Sequence, residues 1–119
     1  MSELEKQFVF SRLVADLIVY AYQAGFTVTL GEAWRSPETC ELYAKEGKGI
    51  SNSLHRRRLA IDLNLFKDTN LLRDSKSYKI LGDYWKSMSG EDYQCCWGGD
   101  FEGPLTDGGH FSVSHLGIK

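Results

Sequence analysis

The sequence carries no excess of positive charge: 14 Lys and Arg stand against 16 Asp and Glu, for a net charge of -2. Nucleic-acid binding needs a basic surface, so no nucleic-acid partner is expected. The run Arg56-Arg57-Arg58 is too short to reverse that and reads as a solvated edge. No apolar stretch approaches the roughly 20 residues of a membrane span, so no membrane insertion is expected. The first residues, Met1-Ser2-Glu3-Leu4-Glu5, are acidic where a secretion signal would be basic. Synthesis in the cytoplasm without a signal peptide is the corresponding expectation. Cysteine is scarce: Cys40, Cys95 and Cys96 are odd in number, two are adjacent, and none forms a C-x-x-C pair. That excludes a disulfide framework and a thiolate zinc site, leaving free, buried or partly buried thiols of a reducing compartment. No repeat, low-complexity tract or linker divides the 119 residues, so 1–119 reads as one domain, expected to be a monomer.

What is present is ordinary for a globular chain, with 42% hydrophobic and 25% charged residues. Ser2-Glu3-Leu4-Glu5 has capping-box spacing, and Leu4, Phe8, Val14, Leu17, Ile18 and Ala21 recur at helical intervals up to Gly25. The spacing predicts a helix over 3–24 with these residues toward the core. Residues 26–30 alternate as a strand, and Ser36-Pro37-Glu38 starts a helix that runs to about Lys45. After a Gly/Ser/Asn loop, Leu59, Ile61, Leu63 and Leu65 form the core face of a strand whose other face holds Ala60, Asp62 and Asn64. A short strand near Leu71 follows. Tyr78, Leu81, Trp85 and Met88 are spaced as a helix after a cap at Asp74 or Ser75. Residues 97–101 are turn-rich, and 110–114 read as a last strand with His110, Ser112 and Ser114 on one face. The fold class is α+β, a small antiparallel sheet flanked by helices.

The polar groups converge on one chemistry. His55 approaches the central strand, Asp62 projects from its polar face, His110 opens the last strand, and Asp107 lies three residues before it. Two imidazoles and one carboxylate leave a fourth position open on zinc, the makeup of a catalytic site on the sheet's polar face. Such a site activates water at neutral pH, and a carboxylate in the position of Asp107 could manage its proton. His115, five residues past His110 and on the opposite face, reads as non-ligating.

Residues 53–62, Ser53-Leu54-His55-Arg56-Arg57-Arg58-Leu59-Ala60-Ile61-Asp62, resemble the S-x-H-x-x-G-x-A-x-D signature of the zinc D-alanyl-D-alanine carboxypeptidase and dipeptidase superfamily. Trp97-Gly98-Gly99-Asp100-Phe101 and Asp107-Gly108-Gly109-His110-Phe111 resemble segments of its phage L-alanyl-D-glutamate endopeptidase branch, as does Glu32-Ala33-Trp34-Arg35-Ser36-Pro37-Glu38. The resemblance implies one zinc per chain on His55, Asp62 and His110, with Asp107 as the catalytic acid/base. It implies that Arg35 steadies the oxyanion and binds substrate, and that Ser53 belongs to the substrate pocket. Arg58 departs from it, standing where the signature has glycine; Ser112 stands where many relatives carry Glu or Gln.

The function so implied is hydrolysis of peptide bonds in peptidoglycan stem peptides by a phage-type endolysin that acts on the cell wall after release from the host cytoplasm. Two alternatives stay open: a D-Ala-D-Ala carboxypeptidase using the same site, and a non-catalytic wall-binding or virion structural domain with the same fold. A thiol redox protein using Cys95 and Cys96 is disfavoured by the missing C-x-x-C spacing.

Overall fold

Ser2 closes the expected capping box with Glu5, each side chain bonded to the other's backbone N–H, and the first helix follows from it: α1, Glu3–Gln23. The computed structural model describes residues 1–119. Phe10, Leu13, Leu17 and Ala21 form the buried stripe of α1. Leu4 and Phe8, expected on that face, are exposed instead. At 100° per residue they fall across the helix from Leu13 and Leu17, and Phe8 lines a shallow apolar groove with Trp34 and Arg58. The strand β1, Thr27–Leu30, comes next, then α2, Pro37–Lys45, capped by the Ser36 hydroxyl. No helix is long and apolar enough to cross a membrane.

A 3-10 helix over Leu54–Arg57 leads into β2, Ala60–Lys67, the strand on which the sheet is built. Leu63 and Leu65 are fully buried, as is Leu59 just before the strand. The chain then forms β3, Asn70–Leu71, a 3-10 turn over Ser75–Tyr78, and α3, Lys79–Ser87. Two more strands complete the sheet: β4, Cys95–Trp97, and β5, His110–Val113. All pairings are antiparallel, in the order β1-β2-β5-β4, with β3 also on β2. The expected α+β class holds. β4 lay outside the expectation because three residues, two of them cysteines, give too short a run for alternation to show.

One sheet face packs on α1 and α3. Trp85 of α3 is fully buried between Phe10 and Phe111, meeting both rings edge-on, and its indole N–H donates to the Ser112 carbonyl at 3.0 Å. All three cysteines are free and buried. His115 is engaged away from the sheet's polar face, 3.3 Å from Glu3 and from Lys6.

Candidate metal centre

Asp62 and His110 are direct cross-strand partners in the β2–β5 ladder. The Asp62 N–H donates to the Glu32 carbonyl at 2.9 Å and its carbonyl accepts from Gly31 at 2.8 Å, so its backbone bonds point away from β5. The pair is therefore of the non-hydrogen-bonded kind, in which facing side chains come closest. Register alone places this carboxylate beside this imidazole.

His55 arrives from the 3-10 helix. The Ser53 hydroxyl caps that helix, accepting from the His55 N–H at 3.2 Å, and Arg58 ends it in the left-handed region with φ 59° and ψ 36°. That torsion is why a glycine suits the position. Arg58 bears it with its guanidinium laid over the Trp34 ring at 4.8 Å. The His55 ring is pinned at Nδ1, 3.0 Å from the Ala33 carbonyl. A carbonyl can only accept, so Nδ1 carries the proton and the Nε2 lone pair faces the site.

The three ligand atoms all lie within 4.8 Å of one another. Asp62 Oδ1 is 3.4 Å from His55 Nε2 and 3.4 Å from His110 Nδ1. Two ligands each about 2.05 Å from a tetrahedral zinc ion stand about 3.3 Å apart, so both Asp62 spacings suit such an ion. Asp62 Oδ1 is also buried without a hydrogen-bond partner, a polar atom that a cation would satisfy. Burial opposes ionisation of Asp62, but His110 and His55 outweigh it and hold the carboxyl well below the usual carboxylate range. Burial likewise opposes charge on His55, yet Asp62 prevails and raises its pKa. The donors are a preformed set, one carboxylate between two imidazoles.

Asp107 joins them through its loop. Its N–H donates to the Gly98 carbonyl at 2.9 Å, its carbonyl accepts from the His110 N–H at 3.1 Å, and its Oδ1 accepts from the Gly109 N–H at 3.2 Å. A Cβ on Gly98 would sit 2.1 Å from the Asp107 carbonyl oxygen and 2.8 Å from the His110 Cβ, so only glycine allows the approach. The Trp97 indole donates to the Gly108 carbonyl at 2.8 Å, and the Gly108 N–H donates to the Ser75 hydroxyl at 2.9 Å. Trp97, Gly98 and Ser75 thus fix the loop carrying Asp107. Turn-rich spacing pointed to the first two; Ser75 had no local signal beyond its candidacy as a cap.

Asp107, Arg35 and Ser53 line one open cleft of about 710 Å³ with His55, Asp62 and His110. The structure therefore brings together every expected site residue. Arg35 is held by an ion pair from Nε and Nη2 to Glu32, which leaves Nη1 as its free edge. Burial works against its charge, but Glu32 outweighs that and raises its pKa. Its ring neighbour is Tyr43, 4.9 Å below the guanidinium. Glu32 and the Ala33 carbonyl support the site without having been singled out. A backbone acceptor leaves no trace in residue type, and Glu32 stood in a matched segment without a role.

No protein-family model matches the chain, and neither does any curated protein sequence. Among solved structures, the L-Ala D-Glu endopeptidase ChiX of Serratia marcescens is similar, with a TM-score of 0.69 and 20% sequence identity over 87% of this chain and 79% of that one. The chain thus shares the fold of that L-Ala D-Glu endopeptidase, and its His/Asp/His cluster on the sheet's polar face is a set of residues that could hold a metal ion.

Proposed function

We propose that the protein is a zinc-dependent peptidase of peptidoglycan stem peptides, hydrolysing the bond between L-alanine and D-glutamate as a phage-type endolysin. The observation that carries the reading is the convergence of His55, Asp62 and His110 at ligand spacing in one cleft with Asp107 and Arg35, on a fold shared with an L-Ala D-Glu endopeptidase. His55 would hold the ion through Nε2, Asp62 through Oδ1 and His110 through Nδ1. Bound there, zinc supplies Lewis acidity at a carbonyl oxygen and a water that ionises near neutral pH.

The chain's own residues do the rest. Gly109 occupies Oδ1 of Asp107, leaving Oδ2 to take a proton from the attacking water and return it to the departing amine. Arg35, its orientation fixed by Glu32, presents Nη1 toward the cleft, where it balances charge developing on the carbonyl oxygen. Ser53 holds His55 from below and contributes to the wall on which the peptide lies.

Mass analysis of peptidoglycan treated with the purified protein tests this directly. The expected products are free D-glutamyl peptides and glycan strands ending their stems in L-alanine, formed with zinc and lost with a chelator. Products that differ only by a terminal D-alanine would assign a carboxypeptidase. Undiminished hydrolysis by metal-free protein would overturn the mechanism.

A further inference from the structure

A second cavity of about 420 Å³ opens from the metal cleft and shares Asp62 and Asp107 with it. It is lined chiefly by polar groups, among them Asn64, Ser75 and Thr106, and its one basic lining residue is Arg73. Five of the six arginines have partners for their guanidinium groups. Arg12 pairs with Asp16, Arg35 with Glu32, Arg57 with Glu3; Arg56 bonds the Ser51 carbonyl, and Arg58 lies over Trp34. Arg73 alone has no ion pair, side-chain hydrogen bond or aromatic neighbour, and it is exposed at the mouth of the cavity.

The chain on either side of it, by contrast, is closely held. The preceding Leu72 donates its N–H to the Leu65 carbonyl at 2.9 Å, and its own carbonyl accepts from the buried Tyr78 hydroxyl at 2.8 Å. On the other side, Ser75 accepts from the Gly108 N–H beside Asp107. Arg73 is thus a free cation on a fixed mount, set in register with the loop that carries the proposed acid/base. A planar guanidinium without a partner is suited to a carboxylate, which it can take through two parallel N–H donors.

We propose that Arg73 is a specificity-determining residue that binds a free carboxylate of the substrate beside the departing amine. The identity of that carboxylate rests on the peptidase reading above. In a stem peptide the D-glutamate continues through its side-chain carboxyl, so its α-carboxylate is free and sits one carbon from the nitrogen released on cleavage. Asp107, which serves that nitrogen, and Arg73 line the same cavity. A stem peptide with that carboxylate converted to an amide offers Arg73 a neutral group in place of an anion.

The test uses the metal-loaded protein and two uncleaved probes, γ-D-glutamyl-L-lysine and its α-carboxamide counterpart, with binding read by calorimetry. Wild type is expected to bind the acid at least about tenfold more tightly, the scale of one charge-assisted hydrogen bond. Arg73→Gln should bring the two affinities to within about twofold by weakening the acid alone, and Arg73→Lys should keep part of the preference. Metal content and melting temperature of each variant confirm that the fold is intact. A wild type with no preference, or a preference that survives in Arg73→Gln, overturns the assignment. Preferential binding by a protein that leaves peptidoglycan uncut would sustain the Arg73 subsite and sink the peptidase reading. Cleavage without preference would do the reverse.

Discussion

Asp107 and Asp62 share a cleft but are held for different tasks. Asp62 is fixed through both its backbone N–H and its carbonyl, with its carboxylate between two imidazoles; Asp107 sits in a glycine loop with one oxygen uncommitted. Asp107→Asn should therefore keep zinc and fold while slowing hydrolysis by a factor on the order of 10² or more. Asp62→Asn should lose zinc. Metal content and rate measured together on both variants check the assignment, and a metal-loaded, fast Asp107→Asn would defeat it. Cys95 offers a separate test. Burial pushes its thiol up to about 11 from 9.0. Between those values the native state keeps a proton that the unfolded chain has released, so this contribution to stability is full below about pH 9 and lost as pH rises to about 11. Urea unfolding at several alkaline pH values should show a steeper decline for wild type than for Cys95→Ala. Arg58 tests backbone strain. Arg58→Gly should leave stability within about 1 kcal/mol, trading relief of the left-handed torsion against the Trp34 contact. Arg58→Val, β-branched at positive φ, should cost about 1–2 kcal/mol in the same assay.

Among the elements, β5 and the loop before it bear most on the site. Gly98→Ala forces two backbones apart at the base of that loop, because the nearest atom it meets is the Asp107 carbonyl oxygen. A loss of about 1–3 kcal/mol is expected, with zinc affinity reduced at least about tenfold in a chelator competition. Gly49→Ala, whose new methyl meets nothing nearer than 3.7 Å, serves as the control. Unchanged zinc affinity in Gly98→Ala would show that the loop does not set the ligand geometry. This element also marks how far the sequence could be read. The alternation around Asp62 gave both faces of β2, the cap at Ser36 gave the start of α2, and the triad was singled out by residue type together with the resemblance carried by residues 53–62 and 107–111. β4 did not emerge, nor did the outward turn of Leu4 and Phe8, whose i, i+4 spacing looked helical although both lie across α1 from Leu13 and Leu17. The supports from Ala33, Ser75 and Gly108 are backbone contacts or long-range pairs, and local pattern is blind to both.

At the scale of the whole molecule, the three ligands come from separate stretches of chain that meet only in the folded sheet. An ion that binds them in the native state and not in the unfolded one stabilises the fold by mass action, by about 2.7 kcal/mol at a free concentration 100 times the dissociation constant. For a domain of this size that is a rise in melting temperature on the order of 10 °C. Thermal scans with zinc and with chelator should differ by that amount for wild type, and His55→Ala should abolish the difference. Equal melting temperatures for wild type in both conditions would mean that the triad does not hold the ion. The turn at Arg58 carries one more consequence, for how such chains are compared. The position specifies a torsion angle, and two different letters satisfy it: a glycine without strain, or an arginine steadied by Trp34. An alignment of letters scores Arg58 as a mismatch in the signature; an alignment of backbone angles would score it as agreement with a glycine at the same torsions. Information about this site is held in angles that the alphabet does not spell.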